Sequence, residues 1–222
     1  MAKNEQMRDI LSRSRRGNIT NTVSKFQENA LFSSMHSVYE RLCRKYPQKS
    51  FVHEKSIGLI EMFELRKRRD PEMVKRMVAP KRNSQRVIPD GGVIYLVRED
   101  GVKLPVVFSE KKHQGGFDEH VKVNGGGNAL ERVFKNVESC KEYCELLGLG
   151  KLFPYVVFGD GNSFKETSSL MAHMSNSLGR PFNEDNTAYG KPSFFFRPNE
   201  WGQEEMEEVC YEIAEGMMRE LC

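Results

Sequence analysis

The stretch that decides the fold is Val87-Ile88-Pro89-Asp90-Gly91-Gly92-Val93-Ile94-Tyr95-Leu96-Val97-Arg98, then Glu99-Asp100-Gly101, then Leu104-Pro105-Val106-Val107-Phe108-Ser109 and Glu110-Lys111-Lys112. Val93 to Arg98 and Leu104 to Ser109 are β-rich runs separated by a turn signal, so they predict an antiparallel hairpin. Such a hairpin sets the start of its first strand beside the end of its second. Asp90 and Glu110, twenty residues apart, should therefore face one site. Downstream, Gly125-Gly126-Gly127 leads into Asn128-Ala129-Leu130-Glu131-Arg132 and the start of a helix.

Outward from this stretch the chain alternates helical and strand-like periodicities. Val23, Phe26, Leu31, Met35, Val38, Tyr39 and Leu42 recur near helical spacing and predict one or two amphipathic helices over 20–45, ended by Tyr46-Pro47. Ile57 to Arg69 predicts a further helix. Asp70 as N-cap and Pro71 at the first helical position start a short one to about Val78. The helix expected from Asn128 to Leu147 carries Leu130, Val133, Val137, Cys140, Cys144 and Leu147 on one stripe. Phe153 to Phe158 reads as a buried central strand, Gly159-Asp160-Gly161-Asn162 as a turn, and Ser168 to Leu178 as a helix. A loop over 180–191, a short aromatic strand Ser193–Arg197 and a terminal helix Gln203–Leu221 complete the pattern. The expected fold is α/β, one domain over 1–222, with a mixed sheet of about five strands flanked by helices.

Composition narrows the class of protein. With 222 residues, 38% hydrophobic and 29% charged, the chain can bury one sizeable core. No apolar run approaches the roughly 20 residues that span a bilayer, and nothing resembles a signal peptide, so a cytoplasmic protein with no membrane partner is expected. Five scattered cysteines argue for reduced thiols, and Cys140 with Cys144 lacks the further ligands of a zinc site. Residues 1–86 carry 20 Lys and Arg against 9 Asp and Glu, whereas residues 87–222 carry 14 against 22. That asymmetry suits a basic part lying on a polyanion and an acidic part holding chemistry, although a solvated basic surface also accounts for it. Residues 1–19, with Arg8, Arg13, Arg15 and Arg16, read as a mobile basic arm for phosphates or a loose helix, or as a frayed terminus.

Pro-Asp, some twenty residues and then Glu-x-Lys at a strand end is the pattern of the PD-(D/E)xK nucleases. Asp90 and Glu110 offer hard oxygen ligands to Mg²⁺, with the main-chain carbonyl of Lys111 as a third. Lys112 would stand beside the scissile phosphate. The triplet alone also fits a structural reading, with Asp90 in a turn and Glu110 and Lys112 as surface charges. Glu61, on the upstream helix, is a further carboxylate that could join the metal.

Four ordered blocks carry a closer likeness: Pro89-Asp90-Gly91-Gly92-Val93, Glu110-Lys111-Lys112-His113-Gln114-Gly115, Gly127 to Arg132 with Lys135-Asn136, and Phe153 to Phe158. Together they resemble the EcoRI-like type II restriction endonucleases over roughly residues 22–164, and Phe196-Arg197-Pro198-Asn199-Glu200 resembles the MunI branch. The resemblance implies a homodimer that cleaves double-stranded DNA with Mg²⁺, a partner methyltransferase, and Asp90, Glu110 and Lys112 as catalytic residues. It implies that Asn128, Ala129 and Arg132 read a central AATT, cut on its 5′ side to leave four-base overhangs and 5′-phosphates. An Asn can pair with adenine N6 and N7, and a small Ala can meet a thymine methyl. Glu131 would brace Arg132, Lys135 would meet phosphate, and His113 and Gln114 would contact DNA or support those that do. Asn124, Gly126, Ser169 and Ala172 depart from the family pattern, so the outer bases are not carried over. His36, His53, His120 and His173 match nothing and read as surface or core histidines. Two other readings are kept: a structure-specific repair or resolving nuclease of the same superfamily, and a non-catalytic DNA-binding module.

Overall fold

The computed structural model describes residues 16–80, 86–113, 126–150, 152–161, 193–197 and 199–222. Helix α1 spans Arg16–Lys45 as one continuous element. Its Leu31, Met35, Val38 and Leu42, at steps of four, three and four, are all fully buried. Strand β1 (Ser50–Glu54) and the two-residue β2 (Ile57–Gly58) follow, then α2 (Leu59–Arg69) and a single turn, α3 (Pro71–Val74). Asp70 caps α3 as expected, its carboxylate accepting from the Met73 N–H at 2.9 Å. The two-residue β3 (Arg86–Val87) pairs with β2, and β4 (Gly92–Val97) and β5 (Lys103–His113) form the hairpin. Helix α4 (Gly126–Leu146), β6 (Tyr155–Asp160), β7 (Ser193–Arg197) and α5 (Gln203–Leu221) complete the chain.

The main sheet has the order β1-β4-β5-β6-β7, antiparallel from β1 to β5 and parallel from β5 to β7. Both faces are covered. On one, α2 and α4 supply Met62, Val133, Val137, Cys140, Tyr143 and Cys144 against Val93, Tyr95, Phe108, Tyr155 and Val157. On the other, α1 and α5 pack Leu31, Met35, Met206, Cys210, Ile213 and Met217 against Ile94, Val107, Val156 and Phe158. Each such side chain removed from water is worth about 1.5–3 kcal/mol, which is why the central strands read as unbroken apolar runs.

A bulge in the hairpin sets which residues reach which face. Ile94 pairs with Val107 but Tyr95 pairs with Pro105, leaving Val106 as the extra residue on β5. The bulge accommodates Pro105, which has no N–H to give the ladder. It also inverts the alternation, so that Leu104 shares the α1 face with Leu96 while Phe108, Glu110 and Lys112 share the α4 face.

Several boundaries differ from expectation. Strand β5 does not stop before Glu110 but runs through it to His113, and β6 reaches Asp160 where a turn was expected. Strand β1 was not expected at all, and the helix expected from Ile57 starts two residues later because Ile57 and Gly58 pair with Val87 and Arg86. The short helix ends at Val74 rather than near Val78. The arm to residue 15, the expected helix over 168–178 and the loop over 180–191 lie outside the described residues. No helix among the described residues is long and apolar enough to cross a membrane.

Candidate active site

Pro89 to Gly92 form a tight turn, closed by the Gly92 N–H on the Pro89 carbonyl at 2.9 Å. The turn is fixed to the end of β5 by the Gly91 N–H, which donates to the Ser109 carbonyl at 3.0 Å. Glycine is required at both positions. A Cβ on Gly91 would stand 1.9 Å from Ser109 Oγ, and Gly92 has φ +77° with a Cβ that would lie 2.4 Å from the Glu54 carbonyl oxygen. The turn thus delivers Asp90 to β5, where its Oδ2 accepts from the Lys111 N–H at 3.1 Å and from Lys112 Nζ at 2.6 Å.

Glu110 faces the same point from within the sheet. Its Oε1 lies 2.7 Å from Lys112 Nζ, so one ammonium bridges both carboxylates. The buried hydroxyl of Tyr155 on β6 donates to Glu110 Oε2 at 3.0 Å. Asn136 of α4 donates its amide to both oxygens, at 3.3 and 3.2 Å, and to the Ile88 carbonyl at 3.3 Å. Every acceptor site that faces the protein is therefore used, and the carboxylate is held in one orientation.

The electrostatics are those of two acids and one base in a nearly dry place. Glu110 is only 1% exposed. Burial, and then the charge of Asp90, push its carboxyl up to about 7, against the pull of Lys112 and Asn136. For Lys112, burial disfavours the ammonium, but Glu110 and Asp90 outweigh it and hold its pKa above the ordinary lysine value. When all three are ionised, the cluster keeps one uncompensated negative charge. Hard carboxylate oxygens with surplus negative charge fit a divalent cation. Among the described residues no three His, Cys, Asp or Glu side chains form a metal-binding group, so the side-chain donors are two carboxylates. Glu61 does not join them. It accepts from the Tyr143 hydroxyl at 2.7 Å, two turns of α4 beyond Asn136, which is about 10 Å along the helix.

Residues that alternate with Glu110 and Lys112 point to the opposite face. Lys111 Nζ lies 3.3 Å from Asp160 Oδ2 in a buried ion pair, and His113 Nδ1 lies 2.7 Å from Asp160 Oδ1. The Trp201 N–H also donates to Asp160 Oδ2, at 3.2 Å. Burial opposes ionisation of Asp160, but the His113 hydrogen bond and the charge of Lys111 outweigh it and hold the carboxyl below its ordinary range. His113, expected to contact DNA or to support residues that do, is thus engaged at its Nδ1 on the face of β5 opposite Glu110 and Lys112.

The candidate reading residues sit at the start of α4. The main chain of Asn128, Ala129 and Glu131 is helical, and Arg132 and Lys135 are exposed. Gln114, and the side chains of Asn128, Ala129 and Glu131, lie outside what is described. Sequence reasoning missed Tyr155, read only as core, and Asn136, noted only within a motif. The spacing of Asn136, eight residues after Asn128 on one helix, was the available signal.

A family model described as restriction endonuclease EcoRI matches residues 14–180. Among individual proteins, the type II restriction enzyme EcoRI of Escherichia coli is 29% identical over 141 residues, covering 57% of this chain and 48% of that enzyme. The type II restriction enzyme RsrI of Cereibacter sphaeroides is 28% identical over 143 residues, covering 59% of this chain and 50% of the relative. The chain spans about half the length of the curated relatives it matches. The five-stranded mixed sheet flanked by helices agrees with an EcoRI-like fold, and a match over most of its length makes this chain a member of the EcoRI restriction endonuclease family.

Proposed function

We propose that the protein is a type II restriction endonuclease acting as a homodimer on double-stranded DNA, at a palindrome with AATT at its centre. The observation that carries this reading is the convergence of Asp90 and Glu110 on Lys112 Nζ, at 2.6 and 2.7 Å, within a member of the EcoRI family. The carboxylates of Asp90 and Glu110 and the main-chain carbonyl of Lys111 would hold Mg²⁺. Bound there, the ion stabilises charge on the phosphate oxygens and lowers the pKa of a water. Asn136 and Tyr155 hold Glu110 in place for that role. Lys112 orients the attacking water and offsets the charge that develops on the phosphate.

Asn128 and Ala129 read the adenine and thymine edges, Arg132 adds a contact one turn on with Glu131 bracing it, and Lys135 meets phosphate. Gln114 contacts DNA or supports residues that do, and His113 steadies β5 from behind. The products carry 5′-phosphates and four-base overhangs. A partner methyltransferase protects the host's own sites in the cytoplasm. Digestion of a plasmid with the purified protein and Mg²⁺, followed by sequencing of the termini, tests the reading. Every end should begin with AATT. Scattered ends would instead mark a structure-specific nuclease, and binding without cleavage across salt and metal concentrations a non-catalytic module.

A further inference from the structure

Among the described residues, the main chain of the turn that carries Asp90 is held by three hydrogen bonds, and one of them comes from a side chain. The Gly91 N–H is tied to Ser109 on β5, and the Gly92 N–H closes the turn on Pro89. The third tie is His53, in the middle of β1, whose Nε2 lies 3.0 Å from the Gly91 carbonyl oxygen. A carbonyl can only accept, so Nε2 carries the proton and donates. Burial, partly offset by this hydrogen bond, holds the imidazole below its usual pKa.

The ring itself is seated. It stacks on Phe32 of α1 with centroids 4.4 Å apart, and His36 lies alongside at 6.1 Å. Behind the turn there is little room to shift. A Cβ on Gly91 would meet Leu31 and Met35 at 2.9 and 3.0 Å, and one on Gly92 would meet His53 Nε2 at 3.2 Å. With Gly91 bonded at both its N–H and its carbonyl, the peptide units on either side of it are both tied down, the nearer one joined directly to Asp90.

We propose that His53 is a positioning residue for the metal site: by donating to the Gly91 carbonyl it fixes the turn that presents the Asp90 carboxylate. The proposal rests on the nuclease reading for its metal, and its test does not depend on cleavage. Mn²⁺ affinity is measured by electron paramagnetic resonance of the free ion for the unsubstituted protein, His53→Gln and His53→Phe, with thermal melts alongside. Gln keeps a donor at the reach of Nε2 but loses the ring, whereas Phe keeps the ring stacked on Phe32 and loses the donor.

Removing a group that orients a ligand typically weakens metal binding 10–100-fold. His53→Phe should therefore weaken Mn²⁺ binding by about tenfold or more, and His53→Gln should stay close to the unsubstituted protein. The reverse order, or equal affinity in all three, overturns the proposal and assigns His53 to packing. If His53→Phe does not fold, His53→Met takes its place as the variant without a donor. Absence of DNA cleavage by the unsubstituted protein, with the affinity order intact, would sink the nuclease reading alone. Absence of Mn²⁺ binding by that protein would overturn both.

Discussion

At Lys112 a single ammonium lies 2.6 Å from one carboxylate and 2.7 Å from another, and this residue sets the character of the site. Its charge keeps Asp90 and Glu110 from repelling each other across a dry gap, and in the proposed reaction the same charge meets the phosphate. Replacing it should harm the transition state far more than the bound state. Lys112→Ala is expected to lower cleavage by at least about 10²–10³-fold, while specific binding in a gel-shift assay changes only a few-fold. Equal loss of both would contradict the assigned role. Glu110 gives a second prediction, from pH. Its carboxyl rises from 4.5 to about 7 on folding, so folding favours the protonated form. The stabilisation this confers is complete below the unfolded value and is lost as pH rises through 7. Glu110→Gln, which stays neutral, should therefore gain stability relative to the unsubstituted metal-free protein between pH 4.5 and pH 8, by up to about 3 kcal/mol. Denaturant melts at the two pH values measure it, and a pH-independent difference would show that Glu110 is not held protonated.

Among the elements, what the sequence revealed followed the strength of its periodic signals. The stripes Leu31-Met35-Val38-Leu42 and Val133-Val137-Cys140-Cys144 have helical spacing and are buried as that spacing requires, and in the terminal helix Met206, Ile213 and Met217 are buried while Val209 and Leu221 are only partly so. The hairpin was legible from two β-rich runs and a Gly turn. Strand β1 was not, because Ser50-Phe51-Val52-His53-Glu54 buries only Phe51 and sits at the sheet edge, where polar residues are tolerated. The end of β5 was hidden by its charges, since Glu110 and Lys111 are buried only through partners that lie far off in sequence. Asp160 looked like a turn residue for the same reason. The placement of His113 was readable in principle, because it differs from Glu110 by an odd number of residues along one strand. Two predictions belong at this scale. Gly91→Ala would force a Cβ against Ser109 Oγ, Leu31 and Met35 at once, so it should cost about 1–3 kcal/mol by overpacking and move Asp90 off the site. A melting curve and a cleavage assay should both report the loss, and a fully active, fully stable variant would contradict the packing. Asp160→Asn strips the countercharge from Lys111, whose side chain is 2% exposed, and should destabilise by about 3–5 kcal/mol. An unchanged denaturation midpoint would mean that Lys111 finds another partner.

Taken whole, the molecule places the proposed cutting and reading residues on adjoining elements of one chain. Asp90 comes from the turn before β4, Glu110 and Lys112 from β5, and Asn136 ties α4, at whose start Asn128 lies, to Glu110. Among the described residues, the two carboxylates and the lysine of the proposed site all come from one chain, so each subunit of the proposed homodimer would carry its own site and cut one strand of the palindrome. Mixed dimers expose this division of labour. If unsubstituted and Lys112→Ala chains are refolded together in equal amounts, random pairing makes roughly half of the dimers mixed. Each mixed dimer still binds the symmetric site through two intact reading helices, but only one subunit can hydrolyse its strand. Supercoiled plasmid with a single site should then accumulate as nicked circles, well beyond what either parent produces, and strand-specific sequencing should place the nicks in either strand with equal frequency. Linear product alone, with no nicked intermediate, would mean that one site cuts both strands in succession or that subunits do not pair on DNA, and the homodimer reading would have to be abandoned.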